Sequence, residues 1–418
     1  MTDTEPVAPI GPVETGFRHA FASLRHRDFA IFWSAATVSN SGSWMQTITV
    51  PYVIYVLTHS TAWVGLTAFV TFIPGVIAGP ASGAIADRFS RRSVLLVTTT
   101  AQTTVALALW ALWASGVAST WNLLAVLVVS SVAGNINITA WQAFVPALVP
   151  PEDMLGAVRL NSVQFTAARA IGPAVAGAVL ARFGPGFAFM ANAISFLLVI
   201  GALVVVRPRP NPLPAVSTSI MRQFAEGVSY VRAQAAMWQP VLTILVVSLL
   251  PSALVQLAPA FADEQFRASK AGYGLMVAAY GVGSVIGSVG IAAHADRGRR
   301  SVASLWGLVW SFAGVLLLAA TTSFTVGCLA LVVMGAAYVT VTISLNTSIQ
   351  ARVDEAFRGR AVSIYLMAML TGLPLGALAL GAVADVVGLR TTMLAAAGLL
   401  ALYTVVVVTY LDRLRAID

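Results

Sequence analysis

The chain has 418 residues, 58% of them hydrophobic and only 10% charged, with a net charge of +8 and a mean hydropathy of +0.85. A soluble protein carries about a quarter of its residues as charged side chains, so this chain cannot cover itself with a solvated surface. The hydrophobic residues form long runs, which excludes the short alternating strands of a membrane β-barrel and predicts an all-α, polytopic membrane protein.

The first 16 residues contain several acids and prolines and are expected to form a disordered cytoplasmic tail. Residues 17–27 place Phe17, Phe21 and Leu24 against arginines, as in a helix that lies on a membrane surface. No secretory signal with a small-residue cleavage site is found, and the first hydrophobic run is expected to act as an uncleaved signal anchor.

Twelve hydrophobic segments follow, each close to the ~20 residues that cross a bilayer. Six precede a polar gap: Phe29–Leu57, Trp63–Ala86, Ser93–Ala114, Trp121–Val149, Leu160–Ala181 and Gly184–Val206. Six follow it: Pro240–Ala262, Gly272–Ala293, Ser301–Thr321, Phe324–Ile349, Ala361–Ala384 and Thr391–Tyr410. We therefore predict six-helix bundles over residues 17–206 and 240–410, with a short cytoplasmic tail over residues 411–418.

The gap, residues 207–239, begins with a proline-rich stretch, PRPNPLP, that cannot be helical. After it, Ile220, Phe224, Val228 and Val231 recur at helical spacing with polar residues between them. This pattern predicts a cytoplasmic linker that contains an amphipathic helix on the membrane surface.

Basic residues are distributed unevenly between the two sides of the predicted membrane. Of the 24 lysines and arginines, only Arg182, Arg267, Lys270 and Arg390 lie in loops on one side, and Arg169 lies inside a span. The others share a side with both termini, which the positive-inside rule assigns to the cytoplasm. The net charge thus reflects topology rather than a nucleic-acid partner, and we expect a multi-pass protein of the cytoplasmic (inner) membrane.

Two loops on the same side repeat each other. The segment GAIADRFSRRSV begins at Gly83 after the second span, and ADRGRRSV begins at Ala295 after the eighth. Because the copies lie six spans apart, the halves are expected to be parallel repeats related by an axis along the membrane normal.

The paired loops resemble the signature loop of the major facilitator superfamily. The segments SLRHRDFAIFW, AARAIGPAVAG and FAFMANAISF are further similar to its bacterial drug and siderophore exporters of the enterobactin-exporter type. The resemblance extends from about Phe17 to Tyr410. It implies the fold of that superfamily, twelve helices in two six-helix bundles, and a secondary transporter that works by alternating access without a cofactor.

The resemblance assigns gating to the paired loops, at Gly83, Asp87, Arg88, Arg91, Arg92, Asp296, Arg297, Arg299 and Arg300. It implies that Asp87 faces the N-terminus of the eleventh span, near Arg360, and closes the cytoplasmic side; the helix dipole favours an acid there. The glycine stripe Gly75, Gly79 and Gly83 is expected to let another helix approach closely. The arginines are expected to bind acidic loop residues and lipid headgroups; the alternative is that they only set topology.

The sequence also departs from the family pattern. Ser90 stands where the family has a glycine, and the fourth span lacks the superfamily's intramembrane arginine. In the fifth span, Gly172, Pro173 and Gly177 are similar to the kinked glycine–proline motif of antiporters, with Ala176 in place of a glycine. We expect a helix kink at this motif, with or without antiport.

Arg169 comes about ten residues into the fifth span and is expected to lie near the bilayer midplane. A charge at that depth normally faces a cavity or a partner. No acidic residue lies equally deep in a predicted span, so the expected partners are carbonyls, an amide of Asn135, Asn137 or Gln164, or an anionic substrate. Binding and structural roles both remain open.

In the superfamily, spans one, four, seven and ten line the central cavity. The resemblance therefore implies a substrate site made of Arg169, Asn135, Asn137, Trp44, Gln46, Trp141, Gln256, Tyr338 and Asn346. Aromatic and amide side chains with few charges suit an amphipathic ligand. For each residue the alternative is an interhelical hydrogen bond or packing.

Proton coupling requires a titratable group that alternates between the two sides. Asp263 and Glu264 at the outer end of the seventh span are candidates, and Asp28 and Asp385 are others. Each of these acids could instead cap a helix or face water.

These patterns lead to the hypothesis of a monomeric secondary transporter, embedded in membrane lipid, that exports small amphipathic or anionic molecules such as a drug, an antibiotic or a siderophore by proton antiport. A facilitator or importer, or a scaffold or sensor that no longer transports, are the alternatives. The sequence contains no HExxH or GxxxxGK[ST] motif, and none of its four histidines lies mid-span. We therefore expect neither an enzyme nor a metal site. Cys328 is the single cysteine and cannot form an intramolecular disulfide.

Overall fold

The computed structural model describes residues 21–209, 220–293 and 300–409, and the regular elements in these ranges are helices. The first half contains α1 (Arg27–Thr58), α2 (Thr61–Arg88), α3 (Arg91–Ala114), α4 (Thr120–Phe144) and α5 (Met154–Val205). The linker contains α6 (Ile220–Ala233). The second half contains α7 (Ala235–Val247), α8 (Lys270–Ala293), α9 (Arg300–Ala320), α10 (Phe324–Arg352), α11 (Arg358–Val387) and α12 (Leu389–Thr409). Short 3₁₀ turns occupy Ser23–Arg25, Val145–Leu148, Pro151–Asp153 and Glu355–Phe357.

α5 consists of two membrane-crossing arms that meet at Gly184. The backbone of Gly184 is non-helical, with φ 79° and ψ 178°, a conformation that a residue without a Cβ adopts without strain. The first arm precedes Gly184 and corresponds to the predicted fifth span; the second arm follows it and corresponds to the sixth. The chain therefore reverses between these spans without a loop.

α7 continues as irregular helix to the far side of the membrane. The turns Ser248–Ser252 and Phe261–Gln265 have π-helical hydrogen bonds, and Ala253–Gln256 and Ala258–Ala260 are single α-helical turns between them. Prolines at positions 251 and 259 lack the backbone N–H that a regular α-helix needs, which accounts for the interruptions.

Within the described residues, ten helical segments are long and apolar enough to cross a membrane. α1 and the first arm of α5 are not among these ten, although both are helices of comparable length. α1 is rich in hydroxyl and amide side chains, which lowers its hydropathy, and several side chains of the first arm of α5 lie outside the described part of the structure. With these two included, the fold is consistent with the twelve predicted spans in two six-helix bundles.

The linker helix α6 is bound to the second half of the protein. Tyr230 stacks on Phe357 with ring centroids 4.2 Å apart, and its hydroxyl donates to Asp354 Oδ2 at 2.7 Å. Glu226 forms an ion pair with Arg360 at 3.1 Å, at the start of α11. The predicted amphipathic helix of the linker is thus present. Of the similar segment over residues 17–27, residues 17–20 lie outside the described ranges, and the remainder forms little more than the turn Ser23–Arg25.

We call the side of the membrane on which α1 begins the terminal face, and the side on which it ends the distal face. Each short connection reverses the chain, so α2 and α8 begin at the distal face whereas α5 and α11 begin at the terminal face. The two halves pack on each other mainly through α2 against α11 and the first arm of α5 against α8.

Glycines allow close helix contacts within the second half. A Cβ built on Gly283 or Gly287 of α8 would collide with the backbone of Val332 or Ala336 of α10, and one on Gly335 would collide with Tyr280. In lipid, where burying apolar surface between helices gains little, such close approach is a main source of helix association.

The glycine stripe of α2 corrects one prediction. Gly75 packs against Ser131 of α4, but no described atom of another helix lies within 4 Å of a Cβ built on Gly79 or Gly83. Among the described residues, the stripe therefore contributes to helix packing at Gly75 and not at Gly79 or Gly83.

Substitution of Gly283 by leucine should lower the melting temperature in detergent, because the side chain meets backbone that cannot move aside; overpacking typically costs about 1–3 kcal/mol. Gly79→Leu is the matched control and should leave the melting temperature unchanged, since its site is open. Equal losses in the two variants would contradict this packing scheme.

Candidate functional site

Tyrosines of α1 and α8 connect the two halves at the distal face. The hydroxyl of Tyr55, itself buried, donates to Glu264 Oε1 at 2.9 Å. The hydroxyl of Tyr273 donates to the carbonyl of Ile48 at 3.0 Å, and its ring stacks on Tyr52 at 5.7 Å. These bonds have to break if the halves separate at this face, so the contact holds the distal face closed in this structure.

A small cavity of about 90 Å³ lies beside these tyrosines. It is lined by His59 and Tyr52 from the first half and by Asp263 and Lys270 from the second. Asp263 and Glu264, the predicted coupling candidates, are both exposed at the distal face and lie at the boundary between the halves.

Asp385, near the end of α11, caps the N-terminus of α2. Its Oδ1 accepts from the backbone N–H of Thr61 at 2.7 Å and lies 2.6 Å from the Thr61 hydroxyl, and its Oδ2 accepts from the Ser60 hydroxyl. The first N–H groups of a helix have no partner within the helix, and the helix dipole favours an anion there. One carboxylate of the second half thus satisfies donors of the first.

Two close backbone approaches complete this closure, which we call the distal gate. A Cβ built on Gly65 of α2 would collide with the backbone of Ala377 in α11, and one on Gly177 of α5 would collide with Gly274 of α8. The kink predicted at Gly172, Pro173 and Gly177 stays a prediction: the segment is assigned as helix throughout, and the non-helical residue of α5 is Gly184. The glycines of the motif permit contact: Gly172 packs on the Trp44 ring and Gly177 on Gly274.

The halves enclose a central cavity of about 550 Å³ on the terminal side of the distal gate. Its lining is mostly aromatic and aliphatic, with a few hydroxyls: Trp44, Phe72, Phe165, Gly281, Ser284, Val285, Ser288, Tyr338, Val339, Thr342, Ile343, Met369, Leu370 and Leu373. A neighbouring cleft of about 430 Å³ shares Phe165 and extends along α4 and α5 toward the terminal face. Of the predicted site residues, Trp44 and Tyr338 line the central cavity.

Among the described residues, only two of the four helices implied by the resemblance line this cavity. α1 and α10 contribute as expected, but the described lining comes otherwise from α2, α5, α8 and α11, and not from α4 or α7. The closing of the distal gate brings α2 to α11 and α5 to α8, so these four helices form the walls of this conformation.

A second, smaller cavity, the amide pocket, lies next to the central cavity on its distal side. It measures about 140 Å³, and the two cavities share Phe72. Its lining is Ser43, Gln46, Thr47, Val50, Pro51, Val64, Thr67, Ala68, Thr71, Phe72, Gln102, Leu127, Ser130, Asn192, Phe196 and Gln256. Gln46 and Gln256 were predicted as site residues, and the structure places them here, one from each half.

Two predicted amides are used for packing within the first half. Asn135 Oδ1 accepts from the hydroxyl of Ser82 at 3.0 Å, which joins α4 to α2. Asn137 Nδ2 donates to the hydroxyls of Thr98 and Thr99 at 2.8 and 3.1 Å, which joins α4 to α3. Both therefore make the interhelical hydrogen bonds that were the alternative interpretation, and neither lines a described cavity.

Trp141 and Asn346 are likewise outside the described cavities. The Trp141 indole N–H donates to Asn161 Oδ1 at 3.1 Å, and its ring packs on Phe32 at 4.6 Å within a buried aromatic cluster. Asn346 pairs with Gln350 one turn further along α10. Arg169 lies in the first arm of α5, but its side chain is outside the described part of the structure. Of the amides proposed as its partners, Gln164 is buried with neither polar atom bonded.

The signature loop of the first half has a structural role that the sequence did not reveal. Arg91 Nη1 donates to the carbonyl of Ala143 at 3.1 Å, and Arg92 donates to the carbonyls of Leu203 and Val204 at 2.6 and 2.5 Å. These carbonyls end α4 and α5 and lack partners in their own helices. The arginines thus bind helix C-termini rather than the expected acidic residues.

Of the other residues predicted to take part in gating, the structure describes the side chains of Arg88 and Arg300. Arg88 is exposed and lies 5.9 Å from the Phe89 ring, and Arg300 is exposed at the start of α9. The Asp87 side chain, and Asp296, Arg297 and Arg299, lie outside the described part of the structure. The α11 N-terminus to which Asp87 was assigned is here contacted by α6, through the pair of Glu226 and Arg360.

Residues 18–418 match the model of a protein family described as transmembrane secretion effector, within the major facilitator superfamily. The chain belongs to this family. An uncharacterized transporter of the superfamily, y4rN of Sinorhizobium fredii, is 27% identical over 362 residues, which cover 84% of this chain and 86% of the relative. The enterobactin exporter EntS of Shigella flexneri is 26% identical over 365 residues, which cover 85% of each chain.

Solved structures of the superfamily share the fold. A bacterial homologue of the iron transporter ferroportin, in an inward-facing state, aligns with a TM-score of 0.73 and 18% identity, over 92% of this chain and 98% of the other. A bacterial homologue of the lysosomal transporter Spinster, also inward-facing, aligns with a TM-score of 0.69 and 18% identity, over 97% and 99%. This member of the superfamily is therefore a multi-pass membrane transporter with a small-molecule substrate, and not an enzyme.

The predicted site of this transporter omitted several residues that line its cavities. Gln102, Asn192 and Thr67 line the amide pocket, and Phe72 and Phe165 line the central cavity. Gln102 and Asn192 could have been found from sequence, because an amide inside an apolar span is costly unless it has a partner or a function. Threonines and phenylalanines are too common in membrane helices to stand out.

Replacement of Asp385 by asparagine should weaken the distal gate of this transporter, because the charge-assisted bonds to α2 become neutral ones. Spin labels at positions 117 and 390, in a Cys328→Ala background, report the separation of the halves at the distal face. We expect the longer-distance population to rise roughly fivefold, the equivalent of about 1 kcal/mol.

Asp354→Asn is the control for that measurement, since Asp354 bonds Tyr230 of the linker helix α6 and makes no contact at the distal gate. A distance distribution that Asp385→Asn leaves unchanged would contradict a gating role for the cap.

Arg92→Gln should lower the melting temperature of the transporter, because two terminal carbonyls of α5 lose their donors, at a cost of about 1–3 kcal/mol. Arg88→Gln should be neutral, since its guanidinium is exposed. A stable Arg92→Gln protein that merely shifts the balance between open states would instead support the purely gating interpretation.

Proposed function

We propose that this transporter exports small amphipathic or anionic molecules, of the drug, antibiotic or siderophore class, across the cytoplasmic membrane by alternating access. The observation that carries the proposal is the large aromatic and aliphatic cavity, at mid-membrane depth, on the terminal side of a closed distal gate. Such a lining binds apolar bodies with little demand on their shape, whereas its few hydroxyls orient them.

Topology and the relatives support the outward direction of transport. The excess of basic residues on the terminal side assigns that face to the cytoplasm, with both termini there. A cytoplasmic substrate then reaches the cavity in the conformation described here. The enterobactin exporter EntS, which this chain resembles over most of its length, carries its substrate outward, and this supports export.

Closure of the cytoplasmic side is assigned to Asp87 and the paired signature loops. The proposed partner of Asp87, the α11 N-terminus, is contacted by Glu226 of α6 in the present conformation. Movement of α2 toward α11 would bring a second acid to the same helix end, where the dipole favours negative charge. The two acids would thus bind the α11 N-terminus in alternate states, in a transporter that acts as a monomer.

Coupling to protons is assigned to Glu264 and its partner Tyr55. A carboxylate accepts the tyrosine hydrogen bond more strongly than a neutral carboxyl group does. A proton arriving from the distal side would therefore weaken this part of the distal gate. Antiport further requires that the same proton leave toward the terminal side before the cycle repeats. Asp263, one residue earlier and exposed at the same boundary, is the second candidate.

Export can be measured as the accumulation of the neutral dye Nile red, a panel of antibiotics and a catecholate siderophore in cells that express the protein. We expect expression to lower the accumulation of at least one of them, and a protonophore to abolish the difference. Trp44→Ala should reduce this export, because the ring forms part of the cavity wall beside Gly172.

Glu264→Gln should leave the protein in the membrane but make any residual export insensitive to the protonophore. Glu355→Gln is the control, since Glu355 is exposed at the terminal face and pairs with Arg358. Raised accumulation on expression would indicate import and overturn the proposed direction; full protonophore sensitivity in Glu264→Gln would remove Glu264 from the coupling mechanism.

A further inference from the structure

The amide pocket differs in chemistry from the central cavity beside it. Its described lining contains amides and hydroxyls but no charged side chain. The central cavity instead presents aromatic rings and aliphatic chains over most of its surface. Phe72 lines both cavities, so the amide pocket and the central cavity are adjacent.

The polar groups of the amide pocket retain unused hydrogen-bonding capacity. Asn192 Nδ2 donates to Gln46 Oε1 at 2.8 Å, and the Ser130 hydroxyl donates to Gln102 Oε1 at 2.9 Å. Each glutamine thus has its oxygen bonded, which leaves the two N–H donors of each NH₂ group for another acceptor. Gln256, from the second half, has no described hydrogen bond and offers both a donor and an acceptor.

Threonine hydroxyls supply the complementary acceptors. Thr67 and Thr71 donate their protons to carbonyls one turn back in α2, at 2.8 and 2.7 Å. Their oxygen lone pairs therefore remain available at the pocket wall. The pocket as a whole offers donors and acceptors in a fixed arrangement, without a counter-ion for a charged group among its described residues.

We infer that the amide pocket binds an uncharged hydrogen-bonding head group, such as a carboxamide, a hydroxyl or a phenol, while the apolar body of the same molecule occupies the central cavity. The inference rests on the proposed function and narrows its substrate class from amphipathic or anionic molecules to amphipathic molecules with a neutral polar end. The volume of about 140 Å³ holds a group of a few non-hydrogen atoms or roughly four water molecules.

Charge selects against an anionic head group. Transfer of a carboxylate from water into a site with no cation is strongly unfavourable, whereas a neutral amide exchanges its water bonds for those of the glutamines and threonines. Gln256 also makes the pocket sensitive to conformation. It belongs to the second half, so opening of the distal gate removes one partner from the head group and favours its release.

The test is a binding measurement on the purified full-length protein with three tritiated probes that share a naphthalene body. The probes are naphthalene-2-carboxamide, 2-naphthoate and 2-methylnaphthalene, and their dissociation constants are obtained by scintillation proximity. We expect the carboxamide to bind at least fivefold more tightly than either of the others, which corresponds to one or two hydrogen bonds.

Gln102→Leu and Gln256→Leu should each remove this preference and change the affinity for 2-methylnaphthalene less than twofold. Gln350→Leu removes an amide outside both cavities and should preserve the preference. Two variants in different halves keep the test valid if one of them is unstable. Tightest binding of the naphthoate, as expected if Arg169 reaches the head group, would overturn the inference.

A preference for the carboxamide that survives both variants would also overturn the inference, since the pocket would then hold only water. A lack of binding by all three probes would overturn it as well. The accumulation assay distinguishes failure of this inference from failure of the proposed function. Export without a head-group preference refutes this inference alone, whereas a preference without export in any direction refutes the proposed function and leaves the binding site standing.

Discussion

Contact between the two halves at the distal face is the constraint on which the rest of the structure depends. Apolar surface gains little from association in lipid, so the halves must adhere by close backbone approach and by a few polar bonds. Glycine pairs such as Gly177 with Gly274 provide the first, and the capping of α2 by Asp385 provides the second. Both are short-range. A separation of a few ångströms abolishes them together, and this suits a contact that the proposed alternating-access cycle makes and breaks.

Polar side chains inside the first half divide into those that bind helices together and those that line cavities. Asn135 and Asn137 find partners on neighbouring helices, and Arg91 and Arg92 bind the open ends of helices. Gln46 and Gln102 keep donors that no described protein group uses. Unsatisfied hydrogen-bond donors inside a helix bundle are costly. These unused donors therefore indicate where a ligand or water accepts the hydrogen bonds.

The fold could be predicted almost completely from the sequence, because three independent features indicate the same arrangement of helices. These features are the long apolar runs, the basic loops and the repeated loop motif. The site could be predicted only in part. Which amides face a cavity depends on how each helix is rotated about its own axis. Because the spans carry apolar residues on all sides, the sequence does not define that rotation. Trp44, Tyr338, Gln46 and Gln256 were placed correctly at cavities, whereas Asn135 was not. The packing expected at Gly79 is not seen among the described residues, because the sequence does not define how neighbouring helices tilt toward α2.

The turn at Gly184 has a consequence for how the protein meets its surroundings. The two arms of α5 reverse direction through one residue, and the other connections at the distal face are nearly as short, such as residues 59–60 between α1 and α2. A protease, an antibody or a bacteriophage approaching from that side finds almost no extended backbone to recognise. Interference with this transporter from the distal side would therefore require molecules small enough to enter the seam between the halves, rather than ones that bind a projecting loop.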